Sequence, residues 1–211
     1  MLKHIFKRLI IGFLLVFLFA CSDKVQLQPL TDNSTVLAFG DSLTYGTGTS
    51  RDKTYPAVLE RHIQRKVINA GKPGEISAEG VLRLPMLIKQ YQPELIIICH
   101  GGNDILRKIK PDKTRANIQQ MITLAKQNNI QVILIGVPKL GILLNTAPIY
   151  DALAAENQLP YLSDIIGHIL SKAALKSDRV HPNADGYQLL AREVTRLLIE
   201  SGAIEIINSP T

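Results

Sequence analysis

The chain has 211 residues, of which 46% are hydrophobic and 20% are charged, and this composition is typical of one folded domain rather than of a disordered or repeat-built chain. The formal net charge of +6 falls to +3 from Cys21 onward, because the first twenty residues hold three cations and no acid. So small a charge, with 5% aromatic residues and no Trp, argues against a nucleic-acid partner. Two cysteines are too few for a disulfide scaffold.

Residues 1–20 have the layout of a secretory signal. A short cationic start precedes an unbroken apolar stretch over residues 9–19, and eleven helical residues rise about 16 Å, roughly half of a hydrocarbon core. The end of this stretch, Leu-Phe-Ala-Cys21, resembles the lipobox of bacterial lipoproteins. That resemblance implies a lipidated Cys21 that anchors the protein to the membrane of the cell envelope, with the periplasmic side of the outer membrane as the expected location. An uncleaved anchor and an ordinary signal peptide are the alternatives.

The polar residues 22–34 show no periodicity and predict a tether that reaches at most about 43 Å from Cys21. The folded domain is then expected over residues 35–205. A lipidated Cys21 could not pair with Cys99, which closes an apolar run, so we expect no disulfide.

Strands and helices are predicted to alternate through the domain. Short apolar runs bounded by Gly, Asn or Pro predict strands buried on both faces at residues 36–39, 67–70, 95–99 and 132–135. Apolar residues at spacings of three and four between these runs predict amphipathic helices, and Asn183 is the expected N-cap of a last helix over Ala184–Glu200. The alternation indicates an α/β fold with a parallel sheet covered by helices on both faces, in which ligands collect at the carboxyl ends of the strands.

Four short motifs carry the chemistry of the sequence, and three of them directly follow a predicted strand. They are Gly-Asp-Ser42-Leu-Thr, Gly71-Lys-Pro-Gly74, His-Gly-Gly-Asn103-Asp and, near the end, Asp178-Arg-Val-His181. Each alone is a common turn, but together and in this order they resemble the GDSL, or SGNH, hydrolase family. The stretches Leu-Arg-Leu-Pro85 and His-Pro-Asn183 are similar to those of its bacterial acyl-CoA thioesterase, lysophospholipase and arylesterase branch. The resemblance implies a three-layer α/β/α sandwich with a flavodoxin-like parallel sheet.

The same resemblance implies a role for each motif. Ser42 is the expected nucleophile and His181 its general base, because an imidazole with a pKa near 6.5 can accept a hydroxyl proton at neutral pH. Asp178 would fix the imidazole tautomer. The N–H groups of Ser42 and Gly74 and the side-chain amide of Asn103 are the expected oxyanion hole. Gly71 is the alternative to Gly74 as the oxyanion glycine.

Several other polar residues near these motifs are predicted to be structural. Asp41 is expected to brace the turn that carries Ser42 through backbone hydrogen bonds, and Asp104 to serve the fold. His100 is expected to be a loop histidine, with a place at the mouth of the site as the alternative. The histidines show no ligand spacing, so we expect neither a metal nor another cofactor.

Two loops are predicted to line an acyl pocket. Leu106 lies in the first, after the third motif, and Ile142 and Leu143 lie in the second, which core packing explains equally well. Arg107 and Lys108 would then lie near an anionic head group of the substrate.

Three functions remain open at the level of sequence. The leading one is hydrolysis of lipid-like or aryl esters, as by a lysophospholipase, thioesterase or arylesterase. The others are a carbohydrate O-acetylesterase of the cell wall or surface polysaccharide, and a non-catalytic binding lipoprotein. A monomer is expected in each case.

Overall fold

The computed structural model describes residues 25–139, 141 and 144–205. Five strands form one parallel sheet, and its spatial order is β2-β1-β3-β4-β5. The strands are β1 (Thr35–Gly40), β2 (Lys66–Gly71), β3 (Leu95–Cys99), β4 (Gln131–Ile135) and β5 (Tyr161–Leu162). The four longer strands were predicted, and the two-residue β5 was not. The predicted α/β class with a parallel sheet is confirmed.

Eight α-helices accompany the sheet within the described ranges, with two short 3₁₀ helices at Arg51–Lys53 and Ala173–Leu175. The α-helices are α1 (Ser42–Tyr45), α2 (Tyr55–Ile63), α3 (Ser77–Tyr91), α4 (Gly102–Leu106), α5 (Pro111–Gln127), α6 (Pro148–Asn157), α7 (Ile165–Ser171) and α8 (Ala184–Glu200). Helices α2 and α7 pack on α8, whereas α3 and α6 pack on α5, so two helical layers enclose the sheet. None of the described helices has the length and hydropathy of a membrane span.

Burial on both faces explains why the central strands read as continuous apolar runs. All five residues of β3 are buried, as are the last five of β1. Local signals set the helix ends. The Asn183 side chain accepts a hydrogen bond from the Gly186 N–H at 3.0 Å, which confirms the predicted N-cap of α8, and Pro begins α5 and α6.

The described part of the predicted tether is packed onto the domain. The Leu27 N–H donates to the Ser201 carbonyl at 2.7 Å, and the Leu30 N–H donates to the Ala203 carbonyl at 2.8 Å. Leu27 and Leu30 pack their apolar side chains against the body of the protein, and Leu30 is buried in the core. This differs from the free tether that the sequence predicts for residues 22–34. The signal segment 1–20 and Cys21 lie outside the described residues.

Candidate active site

The first motif forms a tight turn between β1 and α1 that presents Ser42 at the carboxyl end of the sheet. Asp41 is buried, and its carboxylate accepts hydrogen bonds from the N–H groups of Leu43 at 3.1 Å and Gly102 at 3.0 Å. Asp41 thus braces the turn, as predicted. A side chain at Gly40 would place Cβ 2.0 Å from the Cys99 carbonyl oxygen, so only glycine allows β1 and β3 to lie this close where the turn begins.

The last motif brings an imidazole and a carboxylate to Ser42. His181 Nε2 lies 3.0 Å from Ser42 Oγ, and His181 Nδ1 lies 2.8 Å from Asp178 Oδ2. Because the carboxylate accepts the Nδ1 proton, Nε2 is left with the lone pair that can accept the serine proton. The contact between His181 and Ser42 joins residues 139 positions apart in the chain.

Asp178 is held in its ionised form at this site. Burial alone would raise the pKa of its carboxyl group, but hydrogen bonds from the Val180 N–H and from His181 lower that pKa below its usual value. Oδ1 accepts the backbone N–H groups of Val180 at 2.8 Å and of His181 at 2.9 Å, and Oδ2 faces the ring. The carboxylate therefore orients the imidazole and favours a positive charge on it.

The Asn103 side chain, in the first turn of α4, can supply one free donor beside Ser42. Its Nδ2 donates to the Glu75 carbonyl at 3.0 Å, which fixes the amide and leaves the second N–H unassigned. Asn103 and Ser42 line the same cavity.

The two candidate oxyanion glycines differ in the availability of their N–H groups. The Gly71 N–H already donates to Asn69 Oδ1 at 3.0 Å. The Gly74 N–H donates to no described residue, and Gly74 has the left-handed φ of 80° that favours glycine. Neither glycine lines the cavity that holds Ser42. The contrast in hydrogen bonding favours Gly74, whose carbonyl accepts a hydrogen bond from Arg107 Nη2 at 2.9 Å.

Glu75 and His100, both buried, form a cluster with Arg83 behind these donors, and no spacing in the sequence connects the three residues. Arg83 holds the Glu75 carboxylate with two hydrogen bonds, Nε to Oε1 at 2.8 Å and Nη2 to Oε2 at 2.6 Å. His100 Nε2 lies 3.1 Å from Glu75 Oε2, and His100 Nδ1 accepts the Gly101 N–H, so the Nε2 proton points to Glu75. His100 is fully buried, so the alternative place at the mouth of the site is wrong.

The Glu75 carboxyl group links protein stability to acid pH. Burial alone would raise its pKa, but hydrogen bonds from His100 and Arg83, together with the positive charge of Arg83, lower it to about 2. A folded-state pKa below the unfolded value of about 4.3 stabilises the protein above that pH, and the benefit is lost as the pH falls toward 2.

We therefore expect the stability gap between the wild type and Glu75→Gln to narrow by about 3 kcal/mol between pH 5 and pH 2. Urea titrations across this range measure the gap. Glu193→Gln, which alters an ion pair on the surface of α8, should show a gap that changes little with pH. A gap for Glu75→Gln that stays constant would contradict this account of the cluster.

Two further buried groups are structural. Asp104 accepts hydrogen bonds from the Ser77 N–H at 2.7 Å and from Thr114 Oγ1 at 3.2 Å, which agrees with its predicted role in the fold. Cys99 is buried at the end of β3, and burial raises the pKa of its thiol well above the usual range. The thiol is therefore unreactive at neutral pH.

A cavity of about 920 Å³ opens beside Ser42 and His181. Its wall is largely apolar, and the side chains that form this part are Leu43, Ile105, Leu106, Val137, Pro138, Leu144, Ile166, Leu170 and Val180. Leu106 lines this cavity, whereas Ile142 and Leu143 lie outside the described residues; a contact of Leu106 with an acyl chain stays a prediction. Arg107 and Lys108 do not line the cavity; Lys139, Lys176 and Arg179 do. Arg107 turns back to the Gly74 carbonyl instead.

Comparison with known proteins agrees with this fold. Residues 38–189 match the GDSL-like lipase/acylhydrolase family. The chain is 34% identical over 165 residues to thioesterase 1/protease 1/lysophospholipase L1 of Escherichia coli K12, covering 74% of this chain and 79% of that protein. It is 29% identical to an arylesterase of Vibrio mimicus, covering 78% of this chain and 88% of that protein.

Solved structures show the same architecture. The SGNH-hydrolase family esterase AlinE4 is 28% identical, with a TM-score of 0.64 over 82% of this chain and 98% of its own. A crystal structure of TesA superposes with a TM-score of 0.71 at 25% identity, covering 80% of this chain and 99% of its own. The chain belongs to the GDSL-like lipase/acylhydrolase family. It is a carboxylic ester hydrolase.

Proposed function

We propose that the protein hydrolyses acyl esters or thioesters of the lysophospholipase, thioesterase or arylesterase type, with Ser42, His181 and Asp178 as its catalytic triad. The observation that carries this proposal is the hydrogen-bonded chain from Asp178 through His181 to Ser42, with Ser42 and His181 on the wall of a largely apolar cavity. The functions of the relatives support the ester as the substrate class.

In the proposed mechanism each group has one step. His181 Nε2 takes the Ser42 proton as Oγ forms a bond to the acyl carbon, and Asp178 stabilises the imidazolium. The carbonyl oxygen becomes an anion that the N–H groups of Ser42 and Gly74 and the Asn103 amide receive. When the bond to the leaving group breaks, His181 returns its proton to the leaving oxygen or sulfur. Water then gives a proton to His181 as its oxygen forms a bond to the acyl carbon. The bond from that carbon to Ser42 Oγ breaks, Oγ takes the proton back from His181, and the carboxylic acid leaves.

The cavity favours a medium or long acyl chain over acetate. Each methylene that moves from water to an apolar wall contributes about 0.8 kcal/mol, which is roughly a fourfold gain in binding. A series of p-nitrophenyl esters from acetyl to dodecanoyl should therefore give a kcat/KM that peaks beyond butanoyl.

Leu106→Asp, on the cavity wall, should lower the ratio of octanoyl to acetyl hydrolysis by about tenfold, because the carboxylate puts a charge on the apolar wall that an octanoyl chain would contact. Leu82→Asp is the matched control, since Leu82 is 81% exposed on α3 and does not line the cavity. In the ester series, a kcat/KM that is highest for the acetyl ester would instead favour the alternative function, a carbohydrate O-acetylesterase. The lipid anchor at Cys21, the envelope location and the monomeric state stay predictions from the sequence.

A further inference from the structure

The turn that carries Gly74 lies at the surface of the protein. Lys72, Pro73 and Gly74 are all exposed, and a Cβ added at Gly74 would meet no described heavy atom within 4 Å. The Glu75 N–H donates to the Lys72 carbonyl at 3.2 Å, and Pro73 with a left-handed Gly74 at the centre makes this a type II turn. The turn sets the direction of the Gly74 N–H, whereas the described residues leave the Cβ side of Gly74 open.

Hydrogen bonds on both sides of Gly74 connect this turn to the proposed active site. The Lys72 N–H donates to the carbonyl of Gly40 at 3.0 Å, and Gly40 begins the turn that presents the nucleophile. On the other side, the Glu75 carbonyl accepts the Asn103 amide at 3.0 Å. Gly74 therefore lies between the segment that presents the nucleophile and helix α4.

Arg107 connects Gly74 to helix α4, whose first turn carries Asn103. Its Nη2 donates to the Gly74 carbonyl at 2.9 Å, and its backbone N–H donates to the Asn103 carbonyl at 2.9 Å, where the helix ends. Because the donor is a charged guanidinium, its bond to the carbonyl is stronger than a bond between neutral groups. One residue thus contacts both of the residues that are proposed to complete the oxyanion hole beside Ser42.

The separation of the two donors depends on contacts between their segments. An oxyanion hole stabilises the anion only when its donors already lie at hydrogen-bond distance from the position of that anion. The Gly74 N–H and the Asn103 amide come from different loops, and two hydrogen bonds join these loops, Asn103 to Glu75 and Arg107 to Gly74. The bond from Arg107 acts on the residue that supplies the donor.

We propose that Arg107 is a positioning residue of the oxyanion hole, whose side chain holds the Gly74 turn at the distance from Asn103 that the anionic oxygen requires. The inference rests on the proposed function and adds to it a residue that touches neither the substrate nor the reacting atoms. Arg107 does not line the cavity, so its loss weakens the stabilisation of the transition state rather than the binding of the acyl chain.

Removal of the hydrogen-bond donor at position 107 tests the proposal on the full chain. Arg107→Met keeps an unbranched side chain without a donor, so kcat for p-nitrophenyl hexanoate should fall by about tenfold, part of the effect of losing a whole oxyanion donor. KM should change by less than about twofold. Arg107→Lys can still donate to the Gly74 carbonyl and should have a kcat at least about threefold above that of Arg107→Met.

A matched control removes a positive charge elsewhere. Lys113→Met lies on the exposed side of α5 and outside the cavity wall, and it should keep the wild-type kcat. Because the Arg107 side chain is exposed, its variants are expected to fold. Circular dichroism and an unchanged urea midpoint check this.

An inhibitor that forms the anion directly separates positioning from other roles. With hexyl trifluoromethyl ketone, Ser42 Oγ bonds to the carbonyl carbon, the serine proton passes to His181, and the carbonyl oxygen becomes the anion. No leaving group departs, so the inhibition constant depends on the stabilised anion and the bound chain. We expect Arg107→Met to raise this constant by about the factor by which kcat falls.

The outcomes separate this inference from the proposed function. A wild-type kcat in folded Arg107→Met, a loss confined to KM, an unchanged inhibition constant for the ketone, or a kcat of Arg107→Lys no higher than that of Arg107→Met would each overturn the inference and leave the esterase intact. If the folded wild type neither hydrolyses p-nitrophenyl hexanoate nor binds the ketone, the proposed function itself fails.

Discussion

Replacing Ser42 by Ala is expected to lower kcat for p-nitrophenyl hexanoate by a factor on the order of 10⁴ or more. The variant lacks the oxygen that forms the acyl-enzyme, whereas His181 keeps its hydrogen bond to Asp178. Steady-state kinetics measure the loss, and a fluorophosphonate probe should label the wild type at Ser42 and leave the variant unlabelled. Ser171→Ala, in an exposed position at the end of α7, is the control and should keep both activity and labelling.

A triad that works as one unit also predicts non-additive losses. His181→Ala combined with Ser42→Ala should be about as inactive as either single variant. Retention of more than about a tenth of the wild-type rate in folded Ser42→Ala, or labelling of another residue, would place the nucleophile elsewhere.

Replacing Arg83 by Leu is expected to lower the free energy of unfolding by about 3 kcal/mol, because it leaves the buried Glu75 carboxylate without its bidentate partner. For a protein of this size, that loss corresponds to a fall in Tm of roughly 10 °C. Arg196→Leu is the matched control, since Arg196 pairs with two glutamates on the exposed side of α8 and should cost at most about 1 kcal/mol.

The same substitution should slow catalysis without weakening substrate binding to the same degree. The Glu75 carbonyl orients the Asn103 amide, and Gly74 directly precedes Glu75. A loosened Glu75 would therefore displace two of the proposed oxyanion donors, which would act mainly in the transition state. We expect kcat to fall by about tenfold with a smaller change in KM. Arg83→Lys keeps the positive charge but cannot make the two parallel hydrogen bonds to the Glu75 carboxylate. It should therefore recover part of the lost free energy of unfolding and part of the lost kcat. An unfolding free energy and kcat at wild-type levels in Arg83→Leu would show that the cluster positions nothing.

Much of the fold and the central contact of the site could be predicted because their signals are local. Strands buried on both faces must be apolar at every position, and this makes β1 and β3 visible as short runs. Asp178 and His181 are three residues apart, so one loop sets their mutual geometry. Ser42 follows β1, where a parallel sheet gathers functional groups. The two residues of β5 are too few to show the pattern of a strand in the sequence.

The remainder of the site depends on contacts that no spacing reveals. Glu75 and His100 meet across 25 positions, and only the packing of the loops after β2 and β3 brings them together. The position of Arg107 after the third motif predicts a place near the substrate, but the end of α4 turns its side chain to Gly74 instead. The cations that do line the cavity, Lys139, Lys176 and Arg179, come from segments after β4 and before His181.

The docked residues 27–30 and Ser42 lie toward opposite ends of strand β1. This segment contacts the residues that follow α8 and leads into the amino end of β1, whereas Ser42 follows the carboxyl end of the same strand. Six strand residues span about 17 Å. A pulling force applied to the chain upstream of Val25 therefore acts on the end of the sheet remote from Ser42. The docked leucines transmit this force to the hydrophobic core rather than to the side chains of the proposed active site.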